Sequence, residues 1–363
     1  MKIGIIHPVL DVIGGAEQTT LSLLNILNKT DYEVTLYTTT KNIQVPPKIK
    51  IKNLKIFPFP IGLKLQRILE IKELFNKAKN EDIFFISSGN LVLTNTKKIV
   101  IIYCHSTFES ELKILERKNS GIFSIYHNYI KKQIKNNIEL LEKSTIKLIA
   151  NSNYTREKLN ELFGGKAKVI FPPVKLNNNI GNSKKSGIIT IARYSMEKNL
   201  EFNLDVIKDL NISYKIFGNA EFSSQMNYYN HLLKQVENKQ EIELFCNSKR
   251  ELIEKYLNSS KIYFQSSKET FGISVIEGII AGCIPIVPDN TANRETVPIN
   301  ELRYKENDKN DAKKKIESAL RNDFDKYLLE LQLHAKTFSE ENFQKNIINY
   351  LSEFEKKNRN NLK

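Results

Sequence analysis

Two glutamates eight positions apart, Glu269 and Glu277, form the stretch of this sequence with the clearest chemical potential. A carboxylate accepts hydrogen bonds from a pair of adjacent hydroxyls, so two carboxylates suit the recognition of a ribose or a hexose. The apolar run before this stretch predicts a strand that ends near Ser267, and a helix is predicted to begin near Gly272. Glu269 then falls in the loop and Glu277 inside the helix. The structural alternative for such a pair is an exposed helix with its cap, but the apolar surroundings favour binding.

The start of that predicted helix offers a second kind of binding group. The backbone N–H groups of Phe271, Gly272 and Ile273 precede the first intrahelical hydrogen bond. They suit diphosphate or sugar oxygens, and the absent side chain of Gly272 lets the backbone approach a ligand closely. We therefore predict that these three residues contact a phosphorylated sugar ligand.

Short apolar runs alternate with amphipathic stretches along the first half of the chain. Ile3–Ile6, Glu17–Leu27 and Val34–Thr38 predict a strand, a helix and a strand, which is typical of a parallel sheet. Further predicted strands are Ile83–Ile86, Ile99–Tyr103, Leu148–Ala150 and Val169–Phe171, and further predicted helices are Lys64–Lys79 and Tyr129–Lys143. A polar passage from Asn177 to Ser186, rich in Asn, Lys, Ser and Gly, predicts an interdomain linker.

The second half repeats the same alternation. Its predicted strands are Gly187–Ala192, Tyr214–Phe217, Ile242–Phe245, Lys261–Gln265 and Ile284–Val287, and its predicted helices are Leu200–Leu210, Arg250–Leu257 and Gly272–Ala281. We predict an α/β protein of two Rossmann-like, doubly wound parallel-sheet domains that face each other across a cleft. The predicted boundaries are 1–180 and 187–338, with a last helix over 339–363 that packs back across the domain junction. Ligands of such sheets bind at the carboxyl ends of the strands.

Composition excludes several other classes of protein. With 363 residues, 40% of them apolar and 26% charged, the chain is neither disordered nor fibrous. Three separated cysteines form no C-x-x-C pair, which argues against a disulfide framework or a structural zinc site. The first residues enter a strand without a signal-peptide pattern, and no window of about 18 apolar residues could span a bilayer. We expect a cytoplasmic protein.

The net charge of +14 is concentrated in the first half of the chain. Residues 1–186 carry 29 Lys and Arg against 15 Asp and Glu, whereas the remainder carries 26 of each. This asymmetry points to an anionic partner of the first half: a phosphorylated acceptor, an anionic lipid surface or a nucleic acid. The alternative is a solvated, lysine-rich face without a partner.

The stretch from Glu269 to Glu277 resembles the E-x(7)-E signature of the family 4 retaining glycosyltransferases, whose fold is GT-B. Other stretches resemble further elements of that family, in the family's order along most of the chain. These are the glycine-rich turn Gly14-Gly15-Ala16-Glu17, the mannosyltransferase-like Tyr103-Cys104-His105, the domain-closing Ala150-Asn151-Ser152 with Thr155 and Phe171-Pro172-Pro173-Val174, and the basic Ile191-Ala192-Arg193-Tyr194 with Lys198-Asn199-Leu200.

The resemblance implies a role for each matching residue. Arg193 and Lys198 would neutralise the departing nucleoside diphosphate, which gains negative charge as the glycosidic bond breaks. Glu277 would hold the ribose hydroxyls and Glu269 the transferred sugar near the diphosphate. On the first domain, the amides of Gly14 and Gly15 would approach the phosphates, and His105 would hydrogen-bond the donor sugar.

The resemblance also implies the reaction: transfer of a hexose from a nucleotide sugar to a lipid-linked or glycan acceptor with retention of configuration. The Y-C-H element belongs to mannosyltransferases that act on lipid-linked oligosaccharides, which tilts the donor towards GDP-mannose, with UDP-sugars close behind. Two departures leave the sugar preference open. Ala192 stands where the family often has glycine, and the loop from Pro288 to Glu295 lacks the family's usual Gly-Gly.

Basic and apolar residues are interleaved between Leu112 and Lys135. The apolar members are Ile114, Phe123, Ile125, Tyr126, Tyr129 and Ile130, and the basic members are Lys113, Arg117, Lys118, Lys131, Lys132 and Lys135. On helices of the first domain this mixture fits peripheral contact with an anionic membrane, on its cytoplasmic face, where a lipid-diphosphate acceptor would be found. An ordinary amphipathic helix with solvated lysines is the alternative.

No cofactor and no required metal are expected. The five histidines are separated in sequence, and Asp323-Phe324-Asp325, a possible metal-binding pair, falls late among helical residues and reads as a loop or helix start. Three other functions stay open at this point: a basic nucleic-acid-binding protein, a catalytically silent sugar-nucleotide-binding partner, and a sugar-nucleotide epimerase. The first lacks a helix-turn-helix or an RNP-like signature, so no nucleic acid partner is expected.

Overall fold

Two compact units divide the chain in the computed structural model of the protein. The first unit comprises Met1–Pro173 and Glu340–Lys363, and the second comprises Val174–Ser339. The structure describes residues 1–10, 14–41, 43–54, 63–78, 80–88, 92–93, 95–116, 124–141, 143, 145–164, 167–176 and 185–360. Most of the predicted linker, residues 177–184, therefore lies outside the described residues.

Strands and helices alternate along both units. The strands are β1 (Lys2–Ile6), β2 (Glu33–Thr38), β3 (Lys50–Asn53), β4 (Ile83–Ile86), β5 (Ile99–Cys104), β6 (Ile146–Ala150), β7 (Lys168–Val169), β8 (Ile188–Ile191), β9 (Tyr214–Gly218), β10 (Ile242–Cys246), β11 (Ile262–Phe264), β12 (Ile284–Pro288) and β13 (Arg303–Tyr304). The helices are α1 (Gly15–Leu27), α2 (Leu63–Lys77), α3 (Glu109–Glu116), α4 (Ser124–Leu141), α5 (Asn153–Phe163), α6 (Leu200–Ile207), α7 (Ser223–Val236), α8 (Arg250–Ser259), α9 (Ile273–Ile280), α10 (Asn293–Thr296), α11 (Lys309–Leu320), α12 (Leu328–Ala335) and α13 (Glu340–Asn360).

A parallel sheet forms the first unit, and its described part has seven strands in the order β3-β2-β1-β4-β5-β6-β7. Alternate residues of β4 divide between two apolar clusters: Ile83 and Phe85 belong to one, and Phe84 and Ile86 to the other. The sheet is thus covered on both faces, which explains why its central strands are nearly continuous apolar runs. The neighbours β1, β4 and β5 end side by side at one edge of this sheet.

Helix α13 belongs to the first unit although it lies at the end of the chain. It begins at Glu340, within the segment 339–363 that was predicted to form the last helix. One apolar stripe of this helix is buried: Phe343, Ile347, Leu351 and Phe354 join the same cluster as strand β1. The hydrophobic effect therefore holds the last helix on the first sheet.

The second unit has its own parallel sheet, whose described part has six strands in the order β10-β9-β8-β11-β12-β13. Strands β8 and β11 are neighbours although β9 and β10 lie between them in sequence, so the strand order reverses here. In doubly wound sheets such a reversal marks the place where ligands bind. The two parallel-sheet domains predicted from the sequence are confirmed.

The sequence missed elements that lack a clear apolar period. Strand β3 is exposed at all four of its residues, because it is an edge strand of sequence Lys-Ile-Lys-Asn. The predicted strand Val169–Phe171 was misplaced, since β7 covers only Lys168–Val169 and two prolines follow Phe171.

No helix in the described part of the chain has both the length and the apolar content needed to cross a membrane.

Candidate active site

The loop after β8 carries the two predicted cations. A short 3-10 turn, Met196–Lys198, ends at Asn199, which has the left-handed φ of +49° and leads into α6. At the end of β11, the Ser266 hydroxyl lies within hydrogen-bonding distance of two carbonyl oxygens of this loop, 3.2 Å from that of Lys198 and 2.8 Å from that of Asn199. These contacts anchor the loop beside β11, so Lys198 is held next to the residues that follow that strand.

Lys198 and Glu269 form an ion pair at the carboxyl ends of β8 and β11. Lys198 Nζ lies 2.6 Å from Glu269 Oε1, and the Ser267 hydroxyl donates to the same oxygen over 2.7 Å. Less than a fifth of either side chain in the pair is exposed. Burial acts to raise the pKa of Glu269, but the charge of Lys198, its hydrogen bond and that of Ser267 outweigh it and lower that pKa below the ordinary value. Glu269 is therefore a carboxylate at neutral pH.

Arg193 lies nearby and is largely exposed. Its Nη2 donates to Glu197 Oε1 over 2.9 Å, an ion pair on one turn of the loop. Its positive charge also contributes to the lowered pKa of Glu269, which places the guanidinium within electrostatic reach of the buried pair. The structure thus brings Lys198 and Glu269 into contact, and Arg193 lies on the same loop as Lys198.

Helix α9 starts as the sequence predicted. Gly272 precedes it with a φ of +96°, a conformation that favours glycine, and its carbonyl accepts from the N–H groups of Val275 and Ile276. The N–H groups of Gly272 and Ile273 therefore precede the first bond of the helix, at its positive end. The side chain of Phe271 is buried and packs against Phe338, with 5.1 Å between the two ring centroids.

Glu277 lies on the second turn of α9 and is mostly buried. The helix can lie close to β11 because residue 278 is glycine; a Cβ atom there would come within 2.8 Å of the Tyr263 ring. Both oxygens of Glu277 accept from one guanidinium, that of Arg250 at the start of α8, over 2.8 and 3.3 Å. Arg250 was not predicted from the sequence, because an arginine in the first turn of an amphipathic helix carries no signal of its own.

In the first unit, Gly14 and Gly15 stand at the start of α1. Gly14 precedes the helix in an extended conformation, and its N–H donates to Glu17 Oε2 over 3.0 Å. The amide predicted to approach phosphates is thus engaged by a carboxylate of its own helix. A phosphate that binds Gly14 has to displace Glu17 from this bond.

His105 follows β5 and contacts Ser87, which follows the neighbouring strand β4. Its Nε2 lies 3.2 Å from the Ser87 carbonyl oxygen, which only accepts, so Nε2 carries the hydrogen and Nδ1 is the acceptor in the neutral ring. Burial lowers the pKa of His105 to about 4, with a further contribution from the charge of His7. His105 is therefore a neutral hydrogen-bonding group at pH 7.

His7 lies beside His105 and Ser87, and no role was predicted for it from the sequence. Its Nδ1 is 3.0 Å from Ser87 Oγ and 2.9 Å from Thr20 Oγ1, and its Nε2 is 3.5 Å from Glu17 Oε1. Its position directly after β1 could have indicated a role, because β1, β4 and β5 are neighbours in the sheet. The sequences of the strands do not show that they are neighbours, so this position alone did not predict the contact.

No group of three or more His, Cys, Asp or Glu residues suited to a metal ion occurs in the described ranges of the chain. The Asp323-Phe324-Asp325 stretch lies after α11, where Asp323 pairs with Arg321 over 3.3 Å. Asp325 begins a 3-10 turn. This stretch is far in sequence from the loops that carry Lys198 and Glu269.

Comparison with known structures defines the class of protein. The chain resembles a glycosyltransferase from Rickettsia africae ESF-5, with a TM-score of 0.69 and 15% identity over 97% of this chain and 98% of that one. It resembles Anabaena Alr3699/HepE in complex with UDP-glucose, with a TM-score of 0.73 and 13% identity over 97% and 100% of the two chains. Likewise it resembles S. aureus TarM in a complex that contains UDP, at 0.65 and 12% over 96% and 99%. The fold is therefore that of the GT-B glycosyltransferases.

Family models cover nearly the whole chain. The family described as glycosyl transferases group 1 matches residues 175–358, and glycosyltransferase family 4 matches residues 13–178. The chain belongs to the family 4 glycosyltransferases of GT-B fold. A comparison with curated proteins gave no match.

Proposed function

We propose that this glycosyltransferase transfers a hexose from a nucleotide sugar, GDP-mannose or a UDP-sugar, to a lipid-linked or glycan acceptor with retention of anomeric configuration. The observation that carries the proposal is the buried Lys198–Glu269 pair, with Arg193 in electrostatic reach at the carboxyl edge of the second sheet. In such a pair the cation can stabilise a leaving diphosphate, and the carboxylate beside it can accept a hydrogen bond from a sugar hydroxyl.

The charge balance at this place supports a role in leaving-group stabilisation. Arg193 and Lys198 carry two positive charges. Glu269 compensates the charge of Lys198 in the largely buried pair, and Glu197, which is largely exposed, pairs with Arg193 at the surface. As the bond between the sugar C1 and the diphosphate oxygen breaks, negative charge accumulates on that oxygen. Preorganised cations stabilise this charge more in the transition state than in the ground state, so they accelerate the step.

The proposed step is a front-face substitution in which atoms balance without a protein nucleophile. The C1–O bond to the diphosphate breaks, and the acceptor hydroxyl oxygen forms the new bond to C1 from the same face. The hydroxyl proton passes to the departing phosphate oxygen, so retention results. Glu269 orients the sugar in this scheme, and Glu277 holds the ribose.

The predicted roles of the first unit complete the proposal. Neutral His105 hydrogen-bonds the donor sugar, and the amides of Gly14 and Gly15 contact phosphate. For Gly14 this requires the release of Glu17, described above. Solved structures of Anabaena HepE in complex with UDP and glucose or with UDP-glucose, which share this fold, support a nucleotide-sugar donor.

We also propose peripheral contact with an anionic membrane through α4. Lys132 and Lys135 are exposed on this helix, as is Tyr129, whereas Ile130 is buried in the unit. Ile130 is thus not available to a membrane, and contact rests on lysines and one aromatic ring. Residues 117–123 and the side chains of Ile125 and Tyr126 lie outside the described part of the chain. Sedimentation with vesicles of anionic lipid, compared with neutral vesicles, tests this contact.

A thermal-shift screen tests the donor assignment. The protein is heated with GDP-mannose, UDP-glucose, UDP-GlcNAc, GDP or UDP, and a ligand that binds only the folded state raises the melting temperature. We expect a rise of several degrees with one nucleotide and its sugar, lost in Glu277→Ala and Arg193→Ala. The matched control is Arg321→Ala, an exposed arginine paired with Asp323, which should retain the rise. Absence of any shift at millimolar ligand would contradict the assignment.

A further inference from the structure

Arg250 holds Glu277 through a two-point contact that none of the assignments above uses. Its Nη2 donates to Glu277 Oε1 over 2.8 Å and its Nη1 to Oε2 over 3.3 Å. The two residues come from the first turn of α8 and the second turn of α9, 27 positions apart. Glu277 has 13% of its side chain exposed, so its rotamer is fixed from the protein side.

The contact determines where the two carboxylate oxygens of Glu277 point. A carboxylate has about four acceptor positions, and the guanidinium occupies two of them, one on each oxygen. One position on each oxygen then remains, in the plane set by Arg250. Two neighbouring acceptors at fixed positions match the two adjacent hydroxyls of a nucleoside ribose.

We propose that Arg250 is a positioning residue for nucleotide recognition, which orients Glu277 towards the 2′ and 3′ hydroxyls of the ribose. The inference rests on the proposed function, because it assumes that Glu277 binds a nucleotide. A lysine in its place would keep the charge but not the planar pair of donors. Arg250 thereby sets the geometry of the site without contact with the reacting atoms.

The charges around Arg250 favour this role over direct phosphate binding. Its Nε donates to Glu254 Oε1 over 2.9 Å, so two carboxylates face one guanidinium. Although burial acts to lower the pKa of Arg250, the charges of Glu277 and Glu254 raise it. Arg250, Glu254 and Glu277 together carry a net charge of −1, whereas Arg193 and Lys198 with Glu197 and Glu269 sum to zero. A phosphate is therefore disfavoured more at Arg250 than at the loop after β8.

Calorimetric titration with ribose analogues tests the inference. UDP and GDP, each with its 2′,3′-dideoxy form, are titrated into the wild type, Arg250→Ala, Arg250→Lys and the control Arg321→Lys. We expect both Arg250 variants to bind the better of UDP and GDP about tenfold more weakly, and the control to bind it as the wild type does. For the dideoxy form, wild-type binding should already be about tenfold weaker, and the Arg250 substitutions should change it less than twofold.

The outcomes separate this inference from the proposed function. Equal weakening of the ribose and dideoxy forms would overturn it, since Arg250 would then act on the diphosphate or on the fold. Unchanged affinity of the ribose form in Arg250→Ala would reduce the contact to a surface ion pair and also overturn it. If neither nucleotide binds the wild type, the donor assignment itself fails and the inference fails with it. Melting temperatures of all variants show whether Arg250→Ala folds; Arg250→Lys, which keeps the charge, serves if it does not.

Discussion

Lys198 Nζ lies 2.6 Å from Glu269 Oε1, and the hydroxyl of Ser267 donates to the same oxygen. The two charged residues come from the loops that follow β8 and β11, which are neighbours in the sheet although 71 positions separate the pair. The pair thus depends on the crossover order of the second unit. It joins the predicted diphosphate-binding group to the predicted sugar-binding group.

Removal of Lys198 should affect transfer far more than removal of a surface lysine. We expect Lys198→Ala to lower kcat/KM for release of nucleoside diphosphate by about 100-fold to 1000-fold, since it deletes a preorganised cation at the leaving group. Lys208→Ala is the control, because Lys208 is exposed and pairs with Asp205 at the surface. Because Lys198→Ala removes the cationic partner of a largely buried carboxylate, the melting temperature of this variant is measured beside its activity to separate stability from catalysis. Activity of Lys198→Ala within threefold of the wild type would refute the role.

Gly272 should matter for both stability and ligand binding. Its φ of +96° makes Gly272→Ala cost about 1–2 kcal/mol in the free energy of unfolding, measured by urea denaturation. The added Cβ would also lie 3.4 Å from Val275 and 3.8 Å from Glu269. Gly164→Ala is the matched control: its φ is +74° and no atom crowds the new Cβ. Both variants should lose stability, and only Gly272→Ala should lose nucleotide affinity; equal affinity in both would count against a donor site at α9.

His105 should make the protein less stable in mild acid. Its pKa is about 4 in the folded state against an ordinary 6.5, so its stabilising contribution is present above pH 6.5 and is lost as the pH falls towards 4. Between pH 7 and pH 5 the unfolding free energy of the wild type should fall by about 2 kcal/mol more than that of His105→Asn. Urea denaturation at the two pH values measures it.

His7 should tune this histidine. Since a charged His7 lowers the pKa of His105 while Glu17 and the Ser87 carbonyl raise it, His7→Gln should raise the His105 pKa above about 4. An NMR titration of the His105 ring measures the shift, and His231→Gln, an exposed histidine in the second unit, is the control. A His105 pKa unchanged by His7→Gln would show that the charge of His7 does not contribute to it.

Much of the second unit's site was predictable from the sequence, because its residues follow local rules. The glycine, the helix start and the spacing of Glu269 and Glu277 belong to one continuous stretch. The contacts with Arg250 and Ser266 were not predictable, since each depends on which strands are neighbours. Likewise, the contact of His7 with Ser87 was not predictable, because Ser87 follows β4 and sequence order does not place β4 beside β1.

Chelation should leave the proposed reaction intact. In the proposed reaction Arg193 and Lys198 supply the positive charge at the leaving diphosphate, so we expect the rate of diphosphate release in excess EDTA to stay within twofold of the untreated rate. Added Mg²⁺ or Mn²⁺ should not restore activity to Lys198→Ala. A tenfold loss in EDTA that Mn²⁺ reverses would contradict this part of the mechanism.

The stereochemistry of turnover decides whether the protein is a retaining transferase. The protein is incubated with the nucleotide sugar that stabilises it and with a simple alkyl glycoside or lipid-diphosphate acceptor, and NMR follows the anomeric proton of the product. We expect release of nucleoside diphosphate and a product with the same anomeric configuration as the donor, both slowed at least about 100-fold in Lys198→Ala. An inverted product would contradict front-face transfer, and tight donor binding without turnover on any acceptor would leave a nucleotide-sugar-binding protein rather than a transferase.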